Sequence, residues 1–207
     1  MENLQLIFTR LMGQYTEDQK LIEKYYSLIE KKYNSSKRHY HNLEHLSNLF
    51  AVLAPCRSLI ISTEAVDFAI FYHDIFYNVS RKDNELKSAQ FARKQLVPLG
   101  IPGVTIELIS AHIEATQTHI RSTNNDTNLF TDADLSILGS NPGTYLQYTK
   151  SIRKEYNIYP EILYKPGRKK VVEHFLAMPR IFKTPYFYEH FESPARENLL
   201  SELHSLL

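Results

Sequence analysis

Apolar residues recur at three- and four-residue spacings along almost the whole chain, which is the period of a helix with one face turned inward. Only six glycines interrupt 207 residues, and strict period-2 alternation is hard to find. Leu4, Ile7, Phe8, Leu11 and Met12 make a first stripe, and Leu21, Tyr25, Leu28 and Ile29 a second. After a polar break at Asn34–Arg38, the spacing predicts helices over about 41–54, ended by Pro55, over 63–77, and over 84–97, halted by Pro98 and Gly100. Pro102 opens another that runs to about His119, and Arg121–Asn128 reads as a polar loop. Further helices are expected near 132–138, 142–156, 167–177 and 186–192. Ser193-Pro194 then reads as the cap and first turn of a last helix carrying Leu199, Leu200, Leu203, Leu206 and Leu207. No repeat, low-complexity tract or dividing linker is visible, so a single all-α domain over residues 1–207 is expected, with roughly nine to eleven helices.

Composition narrows the function classes. Lys plus Arg number 24 against 23 Asp plus Glu, a formal charge of +1, so the chain lacks the field that draws nucleic acid or an anionic membrane non-specifically. One cysteine, Cys56, excludes an internal disulfide framework and a Cys-rich zinc module. The nine histidines stand out: any transition metal here must be held by nitrogen and oxygen ligands. The opening MENLQLIFTR has no basic segment followed by an apolar one, and no apolar run approaches the roughly 18 residues of a membrane span. A cytoplasmic protein without a membrane partner is the expectation.

Helical spacing directs several of those histidines inward. Val66, Ala69, Ile70 and His73 follow i, i+3, i+4, i+7; His41, His45, Leu49 and Val52 share a face, as do Leu108, His112, Ala115 and His119. Asp74 adjoins one of them, and a buried carboxylate requires a partner. Imidazoles and carboxylates converging from separate helices are the mixed set that suits Zn, Mn, Fe, Co or Ni. On one helix, His41 and His45 are about 6 Å apart along the axis and could share an ion. His112 and His119 are separated by about 10.5 Å of rise and could not, unless the helix breaks. His119 is therefore favoured as a ligand over His112.

The order His45, His73-Asp74, Asp132 in an all-α chain resembles the HD superfamily of metal-dependent phosphohydrolases. The nearest likeness is to a bacterial subfamily of about 200 residues described as predicted HD phosphohydrolases. The resemblance is carried by RxYHNxxH (Arg38–His45), FxHDxxY (Phe71–Tyr77), NExxSA (Asn84, Glu85, Ser88, Ala89) and ATxxH (Ala115–His119). It continues through DADLSILG (Asp132–Gly139), IRxEY (Ile152–Tyr156), the Gly167-Arg168 pair and ARxNL (Ala195–Leu199). It implies a single HD-type domain in which His45, His73, Asp74 and Asp132 hold a divalent ion: Mn, Zn, Fe, Co, Ni or Mg. His119 could complete a second metal site. The YHNxxH segment is also similar to the first motif of cyclic-nucleotide phosphodiesterases, which makes His41 a general-acid candidate and His45 a ligand. The chain departs from that pattern at Leu46, directly after His45, and in having one HD pair, which limits this second likeness; with four core ligands, one ion is assumed.

Bound metal lowers the pKa of water from about 15.7 to about 7, and in-line attack on phosphorus then needs a protonated leaving oxygen. Asp74 would bind metal and orient the water, His41 would serve as acid, and Glu85 as base or supporting residue. Arg38 is the expected substrate-binding cation at the mouth of the site, ahead of Arg153 and Arg168. The expected partner is a small phosphorylated metabolite or nucleotide, with no extended nucleic-acid surface, and the oligomeric state is left open. Two other readings stand beside hydrolysis of phosphate esters. One is an HD-type di-iron oxygenase such as myo-inositol oxygenase, in which His112 and His119 would both bind iron. The other is a nucleotide-sensing module with little turnover.

Overall fold

A computed structural model describes residues 3–206; Met1, Glu2 and Leu207, the last assigned above to the final apolar stripe, lie outside the described residues. Ten α-helices and three short 3-10 segments make up the regular structure, and no strand occurs among the described residues. The all-α expectation holds. The helices are α1 (Leu4–Met12), α2 (Gln19–Tyr33), α3 (Leu43–Leu53), α4 (Thr63–Tyr72) and α5 (Asn84–Leu96), followed by α6 (Gly103–Ala115), α7 (Asn125–Leu135), α8 (Pro142–Glu155), α9 (Glu161–Ala177) and α10 (Pro185–Ser205). Backbone packing groups them into two compact units, one extending to Thr131 and the other beginning at Asp132.

In the first unit α4 is the centre. Every residue from Ala65 to Tyr72 is buried, and α1, α3, α5 and α6 all touch the helix. Burial extends all round the helix, beyond the single stripe of Val66, Ala69 and Ile70, and includes Asp67, whose carboxylate is paired with Arg57. Its start is held from outside: the Asp126 carboxylate accepts the N–H of Ile61 at 2.9 Å and of Ser62 at 2.7 Å. The second apolar stripe is rotated from expectation. Ile22, Tyr26, Ile29 and Tyr33 are buried, while Leu21, Tyr25 and Leu28 flank them.

Several boundaries differ from expectation, among them α9, which begins at Glu161 and not near 167. The polar run expected as a loop contains the start of α7, because its polar groups are buried and paired. Asn128 exchanges two hydrogen bonds with the Ser122 backbone, and Thr131 donates to the Thr127 carbonyl. The helix expected to reach residue 77 stops at Tyr72, since the Phe76 N–H goes to Ser88 Oγ at 3.1 Å instead of an i−4 carbonyl. The two helices expected on either side of Ser193-Pro194 are one, α10, with Pro194 inside it. Packing across the proline holds the helix together: Glu192 accepts from the Ile181 and Phe182 N–H groups and from Arg196, and Ala195, Asn198 and Leu199 are buried.

The second unit explains several motif residues without chemistry. Gly139 lies against α10, where a Cβ would meet the Phe191 carbonyl oxygen at 2.6 Å and its Cβ at 2.8 Å, so only glycine fits. Asn198 Nδ2 donates to the carbonyls of Leu138 and Ser140, both at 2.8 Å. Phe182 and Phe187 are fully buried and pack in this unit's core. Arg168 is buried and makes a two-point ion pair with Glu202, at 2.7 and 2.9 Å, while Tyr145 also donates to Glu202. Burial opposes that guanidinium's charge, but Tyr148 and Glu202 outweigh it and keep the group protonated. Arg168→Ala is expected to lower the unfolding free energy by about 3–5 kcal/mol, because Glu202 is left buried without its cation. The double substitution Arg168→Met/Glu202→Leu should recover much of the loss in denaturant unfolding.

Candidate metal centre

Asn42 starts the site. Its side chain caps α3, accepting the N–H of Glu44 at 2.9 Å and of His45 at 3.3 Å, which places His45 in the first turn with its ring buried. His73 follows α4 as its C-cap, and its Nδ1 lies 3.0 Å from the Ile70 carbonyl. A carbonyl can only accept, so Nδ1 carries a proton and Nε2 is the nitrogen turned toward the centre. Asp74, one residue on, gives its N–H to the Tyr33 hydroxyl at 3.2 Å.

These three side chains meet. His45 Nε2 is 3.2 Å from His73 Nε2, and His73 Nε2 is 3.3 Å from Asp74 Oδ2. Atoms that each stand about 2.0–2.2 Å from a common ion are separated by about 3.3 Å in tetrahedral coordination. The observed spacings are therefore those of neighbouring corners of one coordination shell. All three residues are buried, and their ligand atoms lie within 4.8 Å of one another; among the described residues they form a group that could hold a metal ion. Two nitrogens and a carboxylate oxygen suit a borderline divalent cation.

His41 stands beside this group without being on a helix. It occupies the bend before α3, half-buried, with Nε2 4.0 Å from Asp74 Oδ2. The shared helical face expected for His41 and His45 is therefore replaced by a loop that approaches from the side. Arg38 directs Nη1 to the His41 carbonyl at 3.1 Å and Nη2 to the Ile75 carbonyl at 3.2 Å. Glu85, in the first turn of α5, feels the same cluster. Burial holds its carboxyl above the usual range and the Asp74 charge adds to this, while its own backbone N–H, His119 and His73 act in the opposite direction. The other polar residues of that motif clamp the chain after the HD pair: Asn84 pairs twice with Asn78, at 3.1 and 3.0 Å, and Ser88 accepts from Phe76.

His112 and His119 stand outside the three-residue group. The helix carrying them does break, at Ala115, and His119 adopts a left-handed backbone with φ 53°. Such a conformation in a non-glycine residue is uncommon and carries strain. His112 is fully buried, with Nδ1 2.9 Å from Thr127 Oγ1. Asp132 belongs to the second unit, where it is completely buried. Its carboxylate accepts the N–H groups of Lys183 and Thr184 and the Thr184 hydroxyl, and lies 2.9 Å from Lys183 Nζ. Lys183, Tyr33 and Tyr77 were not singled out by sequence. Tyr77 closes the FxHDxxY pattern and could have been, whereas Lys183 has no local signal. A cavity of about 340 Å³ between α1 and the far ends of α3 and α4 is lined by none of the cluster residues.

Two expectations follow. Equilibrium dialysis against Mn, Co or Zn should show binding that His45→Ala or His73→Ala weakens by at least about 100-fold. The second concerns acid stability. Burial depresses His112 to about 4, below the ordinary value of 6.5. As pH falls, the unfolded chain takes up this proton first, so the stability present above about 6.5 is lost toward pH 4. From pH 7 to pH 5 this group alone should remove about 2 kcal/mol in denaturant unfolding, and His112→Leu should flatten that part of the profile.

Compared with protein-family models, with curated proteins and with solved structures, the chain matches none, and the reading of the site rests on its own geometry.

Proposed function

We propose that this chain is a metal-dependent hydrolase of small phosphate esters, phosphomonoester or phosphodiester, with a nucleotide-type substrate. The observation that carries the reading is the buried group His45, His73 and Asp74 with a further imidazole, His41, 4.0 Å from the carboxylate. A ligand triad alone fits a storage or structural site; an imidazole alongside it adds a group that can supply the proton a departing alkoxide needs.

In this reading His45, His73 and Asp74 would hold the ion. A divalent ion held there supplies Lewis acidity to a phosphoryl oxygen and acidifies a water from about 15.7 to about 7. Asp74 would both help to hold the ion and orient the attacking water. Glu85, raised by burial toward the working pH, takes up the water's proton. His41 Nε2 delivers a proton to the leaving oxygen. Phe130 packs edge-on against His73, with ring centroids 5.7 Å apart, and keeps water from the inner side of the ligand set.

The test is phosphate release from nucleotides, dinucleotides and sugar phosphates, with and without added Mn, Co or Zn. Release is expected only with metal, and Asp74→Ala should reduce it by at least about 100-fold. Release that persists undiminished in Asp74→Ala overturns the proposal.

A further inference from the structure

His41 has no helix to hold it. In a loop residue the ring direction is set by side-chain packing, and here the packing is specific. The Tyr77 ring stacks on the imidazole, with centroids 4.1 Å apart and planes at 30°. Tyr40 meets it edge-on, at 4.9 Å and 84°. Arg38 joins the two stretches of backbone that matter, through His41 O on one side and Ile75 O, directly after the HD pair, on the other. Its guanidinium carbon lies 4.8 Å from the Tyr33 ring centroid and 5.7 Å from that of Tyr77. Tyr33 is fully buried, and its hydroxyl accepts the Asp74 N–H. The contacts form a closed circuit: His41 to Tyr77, Tyr77 to Arg38, Arg38 to Tyr33, Tyr33 to Asp74, and Asp74 to His41.

We infer that Arg38, acting through Tyr33 and Tyr77, is a positioning residue that sets the His41 imidazole against Asp74, and is not the cation that binds substrate phosphate. A planar guanidinium can donate to two separate carbonyls while its π system rests against aromatic rings; a lysine ammonium, a point charge on a flexible stem, cannot reproduce both. The effect on rate rests on the proposed role of His41 as proton donor. The geometric claim does not. Displacing a reacting group by about 1 Å costs about 100-fold in rate, which is the scale expected if the circuit is opened.

The decisive measurement uses the full chain labelled at histidine. The His41 Cε1–H resonance is identified by its disappearance in His41→Gln. Stacking on Tyr77 shifts it upfield by ring current, so Tyr77→Leu should move it downfield and Tyr77→Phe should restore it. Arg38→Lys, which alters the backbone tie, should move it in the same direction as Tyr77→Leu. An unmoved resonance in Arg38→Lys overturns the inference, whether or not the chain hydrolyses anything. With bis(p-nitrophenyl) phosphate as probe, Arg38→Lys should lower kcat about 100-fold, change KM by less than about threefold and keep its metal. A raised KM at unchanged kcat makes Arg38 a substrate ligand and likewise overturns it. Absence of turnover in the unsubstituted chain counts against the hydrolase reading alone, because the resonance still decides the circuit.

Discussion

Taking two imidazoles and a carboxylate out of water at one point is the constraint around which the first unit is built. An isolated ionised carboxylate is too costly to bury, so Asp74 must have its charge answered. His73 and His41 stand 3.3 and 4.0 Å from it with His45 beside them, a donor set arranged so that a cation would answer that charge. The Ile70 carbonyl fixes which nitrogen of His73 faces the centre, and Asn42 fixes the turn on which His45 sits. Neither could be arranged by mobile elements. The all-round burial of α4 supplies the rigidity, since its C-terminal end cannot shift without disturbing α1, α3, α5 and α6 together.

Many of the residues that look chemical in the sequence turn out to hold backbone in place. Asn84 and Ser88 accept the N–H groups of Asn78 and Phe76 in the loop that follows α4. Arg153 donates to the carbonyls of Tyr156 and Tyr159 and to Glu161, anchoring the start of α9. Arg196 reaches the carbonyls of Leu176 and Met178. The physical reason is common to all: loops between packed helices carry polar backbone that water cannot reach, and long or forked polar side chains are the means of satisfying it. A motif of polar residues in a helical protein thus reports buried loops at least as often as chemistry.

That explains what was legible in the sequence. Helix existence could be read from the period almost everywhere, because a one-sided stripe is a local property. The pairing of His73 with a core face was equally local and holds, with His73 only 1% exposed. What could not be read depended on distant partners. The polar start of α7 looks like a loop until Ile61 and Ser62 are seen donating to Asp126. Pro194 looks like a boundary until Glu192 is seen bound to Ile181 and Phe182. His41 looks helical by spacing, but the Asn42 cap excludes it from α3. Helix faces and adjacency turned several imidazoles inward with Asp74 beside one of them; the choice of His45, His73 and Asp74 as one set came from the motif resemblance. The departure of His41 from that frame needed the cap.

The near-neutral charge of the chain acquires a definite meaning once the arginines are placed. Arg38, Arg153 and Arg196 donate to backbone carbonyls, and Arg57, Arg153, Arg168 and Arg196 are paired with carboxylates. These guanidinium groups are already engaged within the fold, and the overall charge of +1 adds no steering field. Under the phosphohydrolase reading, the attraction for a phosphate must then come mainly from the ion held by His45, His73 and Asp74. Metal and substrate affinity become linked quantities, each strengthening the other by the same factor. A site of this kind discriminates by whether its ion is present before it discriminates by the shape of the substrate.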